Sequence, residues 1–256
     1  MGKILKTEAL VLKNTRWSET SKIVHLFTRD VGNVKAIAKG ALRPKSPFRG
    51  IFENLNRVEV VISFREGRGL QIISQAALID LYSNVREDLL KMSVAFAIFE
   101  LLQNLIHYNE GDPTLYQATV NILKGLDQNG GVPPPCYLLQ FILNLSESLG
   151  FGWNFSICVI CQNKPTSFPL SVDTANGAII CAKCPSQHLS IQWMLNQLEW
   201  QVLLALQEAE SGKLNSLKNL PIKQVNLLHL IDILMAHLNY HTEISLQLKS
   251  LKMYLP

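Results

Sequence analysis

The hydrophobic pattern changes period near residue 80, and that change limits the chain to two kinds of structure joined end to end. Before it lie five short runs rich in Val, Ile, Leu and Phe: "EALVLK", "KIVHLFT", "NVKAIAK", "RVEVVISF" and "LQIISQAAL". Turn material separates them, in "NTRWSE", "RDVG", "GALRPKSPFRG" and "REGRG". In "RVEVVISF", Val58, Val60 and Ile62 alternate with Glu59, Val61 and Ser63. A period of two gives a strand one dry face and one wet face. Five such strands in residues 1–80 predict a small closed barrel, and the OB-fold is the five-stranded member of that class.

After Asp80 apolar residues recur at helical spacing, so residues 81–256 are expected to form a helical domain. "NVREDLLKMSVAFAIFELLQNLIHY" predicts one helix of about six turns. "DPTLYQATVNILKGL" opens with Asp112 as cap and Pro113 at the first helical position. "PPPCYLLQFILNLSESLGF" opens on prolines and closes at Gly150, a C-cap. "SIQWMLNQLEWQVLLALQEAE" opens with Ser190 as cap, and "PIKQVNLLHLIDILMAHLNYHT" repeats the proline-first pattern. The helical pattern is interrupted once, at roughly 152–188. No run approaches the ~18 apolar residues a membrane helix needs. "MGKILKTEALVLK" has too short an apolar centre for a secretion signal. A cytoplasmic protein is expected, with reduced thiols.

The interruption holds four of the five cysteines: Cys158 and Cys161 in "CVICQN", then Cys181 and Cys184 in "IICAKC". Two C-x2-C pairs 19 residues apart match the spacing of four-cysteine zinc sites. Each pair, on a tight knuckle, can place two thiolates on one tetrahedral ion, and the second pair completes the shell. The intervening "QNKPTSFPLSVDTANGAII" is too turn-rich to bury a core alone, so one structural Zn2+ per chain is expected to supply what is missing. A thioredoxin-like redox pair would leave the second C-x2-C unexplained. Four thiolates leave no open coordination position, which argues against a catalytic ion. His188 could stand in for a cysteine, but four thiols make it redundant, and Cys136 reads as a packed small residue.

Charge divides the chain as the period does. Residues 1–80 carry a net +7 and residues 81–256 a net −3. A polyanion partner for the first part alone is the implication. "KGALRPKSPFRG" first suggests a phosphate loop, but the Gly before the Lys is missing and Pro44 there removes an N–H. What remains is a flexible loop offering Lys39, Arg43, Lys45 and Arg49 with Phe48 among them. Cations with an interleaved aromatic suit single-stranded nucleic acid, whose phosphates are neutralised and bases stacked. Arg16, Arg65 and Arg68, on neighbouring turns, are the next candidates. No histidine pairs with a Ser, Cys or Asp in a nucleophile motif, so a non-enzymatic role is expected.

The order "WSETSKIVHLFTRDVGNVKAIAKGALRPKSPFRG", "RVEVVISFREGRGLQIISQAAL", then a helical domain with two C-x2-C pairs resembles the bacterial RecO family of recombination mediators. The near-terminal "LKSLKMYL" is similar to the family's usual ending. The resemblance implies an N-terminal OB-fold and a helical domain with an embedded zinc module. It also implies binding of single- and double-stranded DNA, annealing of complementary strands, and no catalytic site. The implied partners are RecR and single-stranded DNA-binding protein (SSB), with RecA loaded indirectly, in the RecF pathway; the place of action is the cytoplasm, at the nucleoid. By this match Lys39, Arg43, Lys45 and Arg49 lie on the DNA-binding face. Two other classes stay open: an RNA-binding OB/zinc protein of translation or RNA processing, and a zinc-dependent hydrolase or transferase.

Overall fold

The computed structural model describes residues 3–65, 67–107, 111–128, 130–184 and 193–252. The chain divides into two compact units, Met1–Gln117 and Ala118–Pro256.

In the first unit five strands, β1 (Lys3–Arg16), β2 (Lys22–Thr28), β3 (Gly32–Ala38), β4 (Arg57–Phe64) and β5 (Gln71–Asp80), close a barrel in the order β1-β2-β3-β5-β4. Only β3 and β5 pair in parallel. This is the OB-fold expected from the sequence. Closure depends on β1, 14 residues long. Its first half, Lys3 to Leu10, pairs with β4, and its second, Ala9 to Arg16, pairs with β2. The ladder shifts register between Val11 and Lys13, a bulge that helps one strand serve two neighbours. Val58, Val60 and Ile62 are all buried, as their alternation requires. They meet Val11, Val24, Leu26, Val34 and Ala36 in the barrel core, together with Phe48 and Phe52 from the β3–β4 connection.

The single helix expected after the barrel is two: α1 (Ser83–Glu87) and α2 (Leu89–Leu105). Asp88 breaks it, with extended backbone (φ −120°, ψ 117°) and a carboxylate that accepts from the N–H groups of Leu90 and Lys91. An Asp side chain competes for backbone N–H, so the periodic pattern continues through a residue that caps rather than propagates. At the far end Asn33 of β3 donates through Nδ2 to the carbonyls of Leu102 (2.8 Å), which also accepts from Ile106 N–H, and Ile106 (2.6 Å), tying the helix end to the barrel. α3 (Pro113–Asp127) starts as expected, with Asp112 accepting from Thr114 and Leu115.

In the second unit α4 (Pro135–Ser148) ends as expected at Gly150, which has φ +89°. Gly150 N–H bonds to Glu147 O and Phe151 N–H to Ser146 O, a Schellman closure. Strands β6 (Asn154–Cys158), β7 (Leu170–Asp173), β8 (Ala178–Ile180) and β9 (Met194–Leu195) form a sheet in the order β6-β8-β7-β9. Helices α5 (Gln197–Glu208), α6 (Gln224–Thr242) and α7 (Lys249–Lys252) follow. Ser190 lies outside the described residues; α5 is capped instead by Asn196, reciprocally with Glu199. Met194 and Leu195, expected within this helix, are strand, because they pair with β7. Lys223, not a proline, precedes α6. Among the described residues no helix is long and apolar enough to cross a membrane.

Candidate functional site

The first knuckle forms where β6 ends at Cys158. Cys158 N–H donates to Asn163 O and Gln162 N–H returns to Cys158 O, with Gln162 at φ 59°. The second follows β8, where Cys184 N–H donates to Cys181 O. β6 and β8 are parallel neighbours, so the two knuckles leave the same edge of the sheet. The four sulfurs all lie within 4.8 Å of one another. Cys158–Cys184 and Cys161–Cys181 are 3.9 and 3.8 Å apart, and Cys181–Cys184 3.3 Å. A tetrahedral ion with metal–sulfur bonds of ~2.3 Å requires separations of ~3.8 Å, so the four side chains fit a metal ion and none is joined in a disulfide.

The thiols do not share one electrostatic environment. Burial pushes the Cys158 thiol up, but N–H groups of Cys161, Cys181 and Ile160 outweigh it and hold the pKa down to about 6. Cys184 moves the other way, to about 12, chiefly through its hydrogen bond with Cys181. The sheet shares its core with the helices. Trp200 Nε1 donates to Phe155 O (2.8 Å), and His237 binds Thr174 O and Phe151 O through its two ring nitrogens. The Asn176-Gly177 turn joins β7 to β8; Gly177 has φ 59°, and a Cβ there would come 2.7 Å from Gly152 O. Cys136 is fully buried in α4, which pushes its thiol to about 12. His188 lies outside the described residues.

The basic residues gather at one rim of the barrel. Arg16, Lys22 and Ala38 form one cross-strand row, so the β1–β2 turn and the β3–β4 connection leave the barrel side by side. Leu42 N–H donates to Thr20 O (2.9 Å), joining them. The connection is not the loose loop expected. Backbone bonds Arg43→Gly40, Ser46→Arg43, Arg49→Ser46 and Ile51→Phe48 make it a chain of tight turns. The buried Asn56 clamps it by donating to Gly50 O (2.9 Å) and Ile51 O (2.8 Å). Lys39, Arg43, Lys45, Arg49 and Arg16 are all exposed. Among the described residues no carboxylate pairs with any of them, whereas Lys22 is paired to Glu53 at 2.9 Å. Such a rim can neutralise a row of phosphates.

Phe48 does not belong with them. Expected to offer its face to bases, it is 9% exposed and packs on Phe52 in the barrel core, ring centroids 5.5 Å apart. Its ring belongs to the barrel core cluster and so anchors the connection to the barrel. Arg65 and Arg68 also sit apart from the rim cations. Their loop is held by the buried Gln71, which donates to Arg65 O (2.9 Å) and Arg68 O (2.8 Å). Arg68 there lines a cleft of about 670 Å³ with His25, Lys35, Gln71 and His107.

Two features escaped the sequence reading. Lys13, His25 and Lys35 are direct cross-strand partners on β1, β2 and β3, a cationic row on the barrel's outer face. Burial and then the charges of Lys35 and Lys13 hold the His25 pKa below its ordinary value. Two exposed lysines flanking His25 make the row positive, which suits an anion. Only register brings these residues together, although "RDVG" as a turn between β2 and β3 could have suggested the His25–Lys35 pairing. The second feature is Trp17, 63% exposed in the β1–β2 turn, where its signal was a large aromatic within turn material.

Residues 1–82 match the family model described as "Recombination protein O N terminal", and residues 86–252 match "Recombination protein O C terminal". The chain is similar to the DNA repair protein RecO of Thermoanaerobacter sp. (strain X514), 30% identical over 247 residues that cover 96% of each chain. It is also similar to that of Caldanaerobacter subterraneus subsp. tengcongensis, 31% identical over 83% of each chain. The RecO of Syntrophomonas wolfei is 30% identical over 72% of this chain and 71% of its own. Matched in both halves and along nearly all its length, the chain belongs to the recombination protein O (RecO) family.

Proposed function

We propose that this protein is a DNA repair and recombination mediator that binds single- and double-stranded DNA through the basic rim of its OB barrel and anneals complementary strands. One observation carries the reading: five exposed cations, Arg16, Lys39, Arg43, Lys45 and Arg49, stand without carboxylate partners among the described residues on one rim of an OB barrel. Phosphate contacts of this kind bind without regard to sequence, which a mediator acting on any exposed strand needs. Arg65 and Arg68, apart from the rim, offer a second contact on the β4–β5 loop, one of the loops by which OB-folds hold oligonucleotides. The four cysteines hold one Zn2+ in a structural role, keeping the β6–β8 edge closed. Residues 81–256, net −3, supply the protein contacts: RecR, SSB and, indirectly, RecA in the RecF pathway. The role is binding rather than turnover, in the cytoplasm at the nucleoid.

Annealing of SSB-coated complementary strands tests this. The protein should accelerate duplex formation, and an equal rate with and without it would overturn the reading. Competition by RNA oligomers as effective as DNA would favour an RNA-binding role instead.

A further inference from the structure

The rim lacks an aromatic once Phe48 is assigned to the core, yet strands held only by phosphates would slide freely and leave their bases unsupported. Trp17 fills that position. It follows Arg16 directly and is 63% exposed, the only exposed aromatic among the described residues of the barrel unit. Its backbone is firmly placed. Trp17 N–H donates to Ser21 O (2.9 Å), Ser18 N–H donates to the same carbonyl, and Ser21 N–H donates to Ser18 Oγ (3.2 Å). Arg16 Nε donates to Ser18 O (3.3 Å), so its guanidinium folds back over the same turn. The Leu42–Thr20 bond fixes this turn to the connection that carries Lys39, Arg43, Lys45 and Arg49. Leu42, 37% exposed, adds apolar surface beside it.

An indole 63% exposed on this rim leaves most of its apolar surface in water, at a cost in free energy. Tryptophan is mostly buried in folded proteins, and an exposed one on a rigid turn beside a cationic rim suits a ligand with both a flat apolar face and negative charge. We propose that Trp17 is the base-stacking platform of this rim: one base of a single strand lies on the indole while the flanking phosphates meet Arg16 and the cations of the β3–β4 connection. This rests on the DNA-binding reading above and names the residue that distinguishes a strand with bases from a bare polyanion. Any base has a π-face, so the contact adds affinity without sequence preference.

The test uses the full chain, labelled oligothymidylate, and an abasic deoxyribose-phosphate oligomer of the same length, with binding followed by anisotropy. Wild type should prefer oligothymidylate. Trp17→Ala should weaken binding to oligothymidylate about 5- to 150-fold, leave the abasic oligomer unaffected, and keep the salt slope. Trp17→Phe should retain most of the affinity while abolishing the quenching of tryptophan emission that oligothymidylate produces in wild type. The other tryptophans, Trp153, Trp193 and Trp200, all lie in the second unit. The proposal is overturned if Trp17→Ala binds oligothymidylate as wild type does, if it weakens both oligomers alike, or if quenching survives in Trp17→Phe. In those cases Arg43→Ala/Lys45→Ala still weakening both oligomers would leave the DNA-binding reading standing. Wild type that binds neither oligomer would remove both.

Discussion

The barrel and the cysteine-bearing sheet are both small β-structures in one chain, and they are held together by different means. The barrel pairs every strand on both sides and buries its own valines, isoleucines and two phenylalanines. The sheet β6-β8-β7-β9 has strands of two to five residues, so its order depends on the helices behind it and on the thiols at its edge. The barrel can therefore spend its surface on charge, with unpaired cations on its rim. In the sheet the chemically distinctive side chains, on the proposed reading, are themselves the closure. A binding surface and a structural clasp can look alike as clusters of polar residues; what separates them is whether the element beneath is complete without them.

Removing the clasp should produce the largest effect. Cys181→Ser should lose stoichiometric zinc, read by elemental analysis, and with it a metal-linked stabilisation on the order of 10 kcal/mol in the second unit. The barrel, with its own core, should keep its transition. Full zinc occupancy in this variant, or a barrel that melts with the rest, would erase the contrast.

A core change in the barrel comes next. Phe48→Ala should destabilise the first unit by about 3 kcal/mol in urea unfolding, because a buried ring is removed from the barrel mouth. Its residual DNA binding should keep the wild-type salt slope. Unchanged stability with lost affinity would return Phe48 to the binding surface.

The rim should behave in the opposite way. Arg43→Ala with Lys45→Ala should leave stability nearly untouched and shallow the dependence of log K on log salt by roughly 1 to 1.5, at about 0.7 per phosphate. Sequence preference should not move, because phosphates carry no base identity. Wild-type affinity and slope would take this connection out of the interface.

The smallest effect is in pH. Burial and the charges of Lys35 and Lys13 lower the His25 pKa from 6.5, so below that value the unfolded chain binds a proton the barrel resists. Stability should thus fall as pH drops through about 6.5 and be fully recovered above it. His25→Gln should flatten this slope in pH-dependent melts, and an unchanged slope would place the titration elsewhere.

Several elements were legible before any coordinates. β2 and β4 run over the very residues that "KIVHLFT" and "RVEVVISF" predicted, since alternation is set residue by residue by which side of the strand meets water. The Asp112 and Gly150 caps were legible too, being local hydrogen-bond chemistry. So was the cysteine quartet, because two thiols on one knuckle are positioned by three residues of chain. Asp88 and Asn196 were missed as helix starts: apolar periodicity runs on through both, and which capping residue is used depends on what packs behind it.

The sequence by itself determined the two architectures, the charge division and the cysteine quartet, all of which are carried by spacing along the chain. Only the tertiary structure decided which side chains share a surface. It turned Phe48 inward, where its ring packs on Phe52 in the barrel core and removes apolar surface from water. It aligned Lys13, His25 and Lys35 through register, and brought Trp17 to the rim through one backbone bond between Leu42 and Thr20. Strand pairing joins residues far apart in sequence, and no local pattern records a register fixed by the whole closed ladder.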